Sequence, residues 1–281
     1  PDIIFIAEVY NPHEYRNYIY RGHFDYLYDK VGLYDTIRSV VGGNTAMTIT
    51  GAWQSVDDIQ SHMLNFLENH DEQRIASDFF AGNAEKGKPA LLISSLMNTN
   101  PVMIYFGQEL GERGMDAEGF SGKDGRTTIF DYWTIDLIRR WRNGNKFDGK
   151  LLTAEEKDLQ QFYTKVLNIC NKEKAIREGQ FFDIMYVNYN EGMNEHRQYA
   201  FLRKHEKELI LVVANFDDKL ARSWVKIPAH AFNCMNIPVC DKEYECKDLL
   251  TGKKEKKALI PDGTIYVEIP ANGGRVLKFK L

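Results

Sequence analysis

One apolar run after another in this sequence ends in carboxylates, amides or a histidine. "DIIFIAEV" (Asp2–Val9) carries Glu8 near its end, and "HFDYLYD" (His23–Asp29) carries Asp25 and Asp29. "FLENHDEQR" (Phe66–Arg74) drops from apolar residues straight into Glu68, Asn69, His70 and Asp71. Gln108 and Glu109 follow "PVMIYFG" (Pro101–Gly107). Paired carboxylates suit glycoside hydrolysis, in which one protonates the leaving oxygen and the other attacks or activates water. A retaining mechanism needs them roughly 5–5.5 Å apart, a spacing that adjacent strand ends can meet. Glu8 beside Ile6, Ala7 and Val9 is expected to be buried, with the raised pKa that a general acid needs. A metal reading uses Glu8, His70 and Asp71 as ligands, but no second histidine lies close by. Structural readings stand beside these. Glu8 could be a satisfied buried carboxylate, His70 a packed core histidine, and Asp71 the cap of a helix beginning near Ile75.

These residues need elements to hold them. The four apolar runs read as strands, the first too continuous for a half-exposed strand and so expected to be buried on both faces. Between them lie helical patterns: Leu33–Val41, stopped by Gly42 and Gly43; a helix capped by Ser55; and Pro89–Met97. Strand and helix alternation argues a parallel sheet with crossover helices, whose ligand site lies at the strands' C-terminal ends. Thr153 and Glu156 form a capping box for a helix running to Lys174, with Leu159, Phe162, Tyr163, Val166, Leu167 and Cys170 on one face. From about Gln180 the texture changes to short β-type runs such as "QYAFLRK", "ELILVVANF", "SWVKIP", "TIYVEIP" and "RVLKFKL", separated by turn signals. The division expected is 1–176 and 177–281, the second an antiparallel β domain.

Composition narrows the partners. The chain has 281 residues and a net charge of −4, which gives no argument for nucleic acid or an anionic membrane. No run approaches ~18 uninterrupted apolar residues, so no transmembrane helix is expected. The basic run Lys253–Lys257 reads as a solvated turn. Cys170, Cys234, Cys240 and Cys246 lack metal-site spacing and read as free thiols, with one disulfide among the last three as the alternative. The compartment is not readable.

Three of these segments, "IFIAEVYNP", "FLENHDEQR" and "PVMIYFGQELG", resemble consecutive motifs of the α-amylase family of glycoside hydrolases. The β-rich end, closing in "GGRVLKFKL", is similar to that family's C-terminal sandwich. The resemblance implies an α/β fold consisting of strands five to eight of a (β/α)8 TIM barrel, followed by a small antiparallel β-sandwich domain. It implies a retaining enzyme acting on α-linked glucans or maltooligosaccharides, the alternative being a non-catalytic carbohydrate-binding or interaction relative of the same fold. Glu8 becomes the general acid/base and Asp71 the carboxylate that favours the distorted transition state. His70 would hydrogen-bond the same sugar, Asn69 would join it in substrate binding, and Arg74 would contact or orient the site. Gln108 and Glu109 are assigned structure. Tyr10, Tyr105, Phe106, Phe120 and Trp133 could stack on sugar rings, with Gly125–Trp133 as a rim segment.

The family's nucleophile, an Asp on the strand before the one bearing Glu8, has no counterpart here and would lie upstream of Pro1. No cofactor is expected from these residues; calcium in the parent protein would be held mostly by the absent part. Four parallel strands cannot close a barrel, so the chain is expected to be a fragment with open edges. It should pair with its missing N-terminal half or associate with itself, and should be inactive alone.

Overall fold

A computed structural model describes residues 3–116, 122–130, 135–240 and 242–281. The first four strands are β1 (Ile6–Ala7), β2 (Tyr26–Tyr28), β3 (Met63–Phe66) and β4 (Val102–Met103). They form one parallel sheet in the order β1-β2-β3-β4. Strands that neighbour each other in chain order, without reversal, are wound in one sense, as in a barrel and unlike a doubly wound sheet. Each strand is shorter than its apolar run, because the ladder forms only where two neighbours overlap.

Helices α1 (Tyr15–Tyr20), α2 (Asp35–Val41), α3 (Thr48–Gln54) and α4 (Gly87–Leu96) alternate with these strands. A wide helical turn, Lys30–Tyr34, runs into α2, and the Asp29 carboxylate accepts from the Leu33 amide at its start (2.9 Å). Gly42 ends α2 as its sequence signals. Ser55 does not start a helix; it closes α3 at the C-terminal end, and Asp57–His62 form a 3-10 segment leading into β3. The acidic pair Asp57 and Asp58 still occupies a first turn, where it suits the dipole.

Helix α4 is apolar on almost every side, so it has to be covered on every side. It lies between the parallel sheet and the β domain, with nine of its residues buried. Gly274 allows this approach: a Cβ there would collide with a methyl of Leu92. Helix α5 spans Asp136–Arg142, and α6 (Ala154–Lys172) has the capping box of Thr153 and Glu156. Its buried stripe is Leu159, Tyr163, Val166 and Ile169, while Phe162, Leu167 and Cys170 sit at the margin. After α7 (Lys174–Arg177) the architecture becomes antiparallel.

The β domain holds β5 (Gln180–Asp183), β6 (Gln198–His205), β7 (Glu208–Asn215), β8 (Ala221–Lys226), β9 (Tyr244–Asp248), β10 (Lys254–Lys257), β11 (Thr264–Ile269) and β12 (Gly273–Lys280). A short helix α8 (Ala229–Cys234) interrupts it. Six strands form one sheet in the order β10-β9-β12-β7-β6-β5; β8 and β11 pair separately and pack over it. The expected basic turn is in fact the edge strand β10, where lysines alternate with half-buried positions and discourage further pairing. All four cysteines are free. One apolar core runs from Leu33, through α4 and α6, to Phe201, Val212 and Phe279, so helices and β domain share it. Arg203, fully buried, fastens the join by donating to the carbonyls of Leu96 and Met97 on one side and of Ile176 and Gly179 on the other. Among the described residues, no helix is long and apolar enough to cross a membrane.

Candidate active site

The parallel strands deliver their polar ends to one edge of the sheet. Glu8 follows β1; Glu68, Asn69, His70 and Asp71 follow β3; Gln108 and Glu109 follow β4. Asp25 is different. It precedes β2 and therefore lies at the opposite end, where its carboxylate accepts from the Phe5 amide (2.8 Å).

Glu8 is exposed, contrary to the expectation of burial. The reason is the period of two along a strand. Ile4, Ile6 and Glu8 share one face, and that face has no cover, whereas Ala7 and Val9 pack against Tyr15, Ile19 and Leu27. The apolar surroundings that would desolvate Glu8 are absent. Its hydrogen-bond partner is the Tyr10 hydroxyl, which donates to Oε1 (3.0 Å). Tyr10 itself, though largely exposed, is pushed up to about 12, by loss of solvent around its hydroxyl first, then by Glu8, Asp71 and Glu72.

His70 and Asp71 project together. Nε2 of His70 is 3.4 Å from Oδ2 of Asp71, and both side chains are about two-fifths exposed (42% and 43%). No helix begins at Ile75, so Asp71 is not a helix cap; residues 70–82 form turns. Asn69 is buried, and its Oδ1 accepts from the amides of Asp71 and Glu72 (both 2.9 Å). That double acceptance is an Asx turn, and it points the Asp71 carboxylate out of the strand end. Asn69 therefore acts on the backbone; its bound oxygen is already occupied.

Arg74 is 0% exposed and cannot reach a ligand in this conformation. It forms the floor. One guanidinium nitrogen donates to Glu68 Oε2 (2.7 Å), Nε donates to Thr127 Oγ1 (3.0 Å), and another nitrogen donates to the Phe106 carbonyl (2.9 Å). The Tyr105 ring lies 4.2 Å from the guanidinium carbon, and the Tyr105 hydroxyl donates to the Thr127 carbonyl. Burial pushes the Glu68 carboxyl above its ordinary range, and the Arg74 charge opposes that push. Glu68 also accepts from the Ile75 amide (2.8 Å), which ties the turn carrying His70 and Asp71 back to the strand end.

Three residues missed by sequence reasoning belong to this assembly. Thr127 is fully buried beneath Arg74; Arg126 donates to the Asp71 carbonyl (2.6 Å); Glu72 meets Lys30 (3.1 Å) and the Tyr34 hydroxyl (3.1 Å). Thr127 and Arg126 sit in the expected rim segment Gly125–Trp133, which was the available signal. Tyr105 is buried and Tyr10 exposed; Phe120 and Trp133 lie outside the described residues. Gln108 donates to the Tyr163 hydroxyl (3.1 Å) and accepts from the Tyr105 amide, a structural place. Among the described residues, no group of three or more His, Cys, Asp and Glu side chains is arranged to hold a metal ion.

Residues 38–177 match the family model for the α-amylase catalytic domain. The chain belongs to the α-amylase family. Over 155 residues it is 28% identical to a cyclomaltodextrinase from Bacillus sp, a match covering 55% of this chain and 22% of that protein. Its fold matches a noncanonic maltogenic α-amylase, AmyB, from Thermotoga neapolitana (TM-score 0.66, 17% identity), over 100% of this chain and 55% of that one. It matches an α-amylase from Geobacillus thermoleovorans, solved with acarbose, at a TM-score of 0.67 and 15% identity, over 100% and 54%. The chain therefore spans about half the length of these solved relatives and about a fifth of the cyclomaltodextrinase. What it shares with them is a partial amylase barrel followed by a β domain.

Proposed function

We propose that residues 1–176 are strands five to eight, with their helices, of an eight-stranded amylase barrel, and that residues 177–281 are its C-terminal β domain. The parent protein is a retaining glycoside hydrolase acting on α-linked glucans or maltooligosaccharides. The observation that carries this reading is that Glu8, His70 and Asp71 follow strands of one singly wound parallel sheet at the same edge, with His70 and Asp71 side by side. Relatives solved with maltose and with acarbose support the substrate class.

In this reading Glu8 gives its proton to the glycosidic oxygen and later takes one from water. Asp71 and His70 hold sugar hydroxyls and favour the ring distortion of the oxocarbenium-like transition state. Asn69 and Arg74 position them, one through its turn and the other through the Glu68 and Thr127 bonds beneath. The attacking carboxylate belongs to a strand outside this sequence. The four strands of that missing half, or a second copy, would cover Ile4 and Ile6 and give Glu8 the apolar surroundings it lacks here.

Turnover of an activated maltoside by the whole protein tests the roles. Glu8→Gln is expected to lose about 10²–10⁴-fold of kcat, the usual worth of a general acid. Unchanged turnover in that variant would remove Glu8 from the mechanism. The 281-residue chain alone is expected to be inactive and, in light scattering, to associate with itself; a turning-over, monodisperse monomer would refute the fragment reading. Sugar binding without any turnover by the whole protein would favour the non-catalytic relative.

A further inference from the structure

We infer a second ligand site, at the other end of the sheet from Glu8 and Asp71, that takes a neutral polyhydroxylated ring compound, a glucose oligosaccharide. The choice of glucose rests on the function proposed above; the site itself rests on a groove of about 650 Å³ between the helical layer and the β domain. Asp57 and Gln60, on its wall, immediately precede β3, whereas His70 and Asp71 follow β3. The two sites therefore lie at opposite strand ends. The volume falls within the roughly 300–1,000 Å³ of small-molecule pockets.

Aromatic rings provide the apolar surface: Trp53, Phe181, Phe182 and Tyr186. Trp53 and Phe181 meet edge to face at 5.1 Å, and Phe182 and Tyr186 lie 6.5 Å apart. The wall is set before any ligand arrives. Asp183 accepts from the Trp53 indole (3.0 Å), from Thr50 (2.6 Å) and from Tyr199 (2.6 Å), which locks the indole plane. Preorganised rings lose little freedom on binding.

The polar groups point to hydroxyls. Gln54, Gln60 and Gln180 line the groove, and each side-chain amide can both donate and accept, as a sugar hydroxyl does. Gln60 is half-buried in the wall, with its Nε2 covered by protein and without a hydrogen-bond partner. Among the described residues lining the groove there is no lysine or arginine, and the two carboxylates, Asp57 and Asp183, disfavour an anion. A pyranose matches this set: C–H faces for the rings and a hydroxyl rim for the amides.

Titration with maltoheptaose, followed by the Trp53 indole N–H resonance, tests the site. A saturable shift is expected, weakened at least tenfold by Tyr186→Ala and by Gln54→Ala. Both side chains are exposed, and melting curves check that the variants stay folded. Asp71→Asn should leave the shift intact. A shift lost in Asp71→Asn but kept in Tyr186→Ala would overturn the groove and leave the proposed function standing. Binding that spares the Trp53 resonance altogether would do the same. No binding at either end would overturn both.

Discussion

The two halves of this chain build sheets by opposite means. In the β domain, β6, β7 and β12 are each eight residues long and pair along their whole length. β6 and β7 are buried on both faces, under the helices on one side and under β8 and β11 on the other. The parallel strands are two to four residues long, and β1 leaves Ile4 63% and Ile6 48% exposed. The first sheet completes its own core. The second leaves one face of β1 uncovered and is held in place by helices that share the β domain's core. The halves thus differ along the chain: the antiparallel half buries its central strands on both faces, and the parallel half carries the polar cluster.

That contrast can be broken most sharply where each half is fully buried. Phe201→Ala in β6 should cost about 3–5 kcal/mol of unfolding free energy, read by urea titration. Arg74→Leu should cost a similar amount, about 3–5 kcal/mol, because it leaves Glu68 buried without its cation. Replacing Glu68 by Gln in the same variant should recover part of that loss. A small effect at Arg74 would mean that the floor of the candidate site is not the anchor described here.

Asp29 gives an intermediate effect with a pH signature. Burial first raises its carboxyl to about 6, from an ordinary 3.8. A folded-state pKa above the unfolded one contributes stability that is complete below about pH 4 and is lost as pH rises through 6. Asp29→Asn, which keeps an acceptor for the Leu33 amide, should gain stability relative to the native chain across that window and plateau above it. Parallel pH dependences in the two proteins would rule Asp29 out as the source. The smallest effect expected is Ile6→Ala in the 281-residue chain, within about 0.5 kcal/mol for an exposed residue. In the whole protein, with the sheet closed over that face, the same change should cost about 2–5 kcal/mol. Equal costs in the two settings would mean that nothing covers β1.

Much of this architecture was legible from local pattern. The capping box at Thr153, the stop at Gly42, the β-rich second half and the polar ends of the parallel strands all depend on neighbours close in sequence. The failures were of one kind. Glu8 reads as buried because its neighbours are apolar, but its exposure depends on what faces Ile4 and Ile6. Ser55 reads as a helix start because the acidic pair follows it, and it closes the preceding helix instead. Lys253–Lys257 reads as a turn by charge alone, and pairing with β9 makes most of it a strand.

For the residues of the candidate site the same division holds. That Asn69, His70 and Asp71 leave a strand together follows from the order of residue types, since an apolar run ends where the core ends. That Arg74 lies under them and out of reach does not. Its partners Phe106 and Thr127 lie 32 and 53 residues away, and only chain folding brings a carbonyl, a hydroxyl and the Tyr105 ring around one guanidinium. Residue type sets what a side chain can do; long-range packing sets whether solvent, substrate or another side chain is there to meet it.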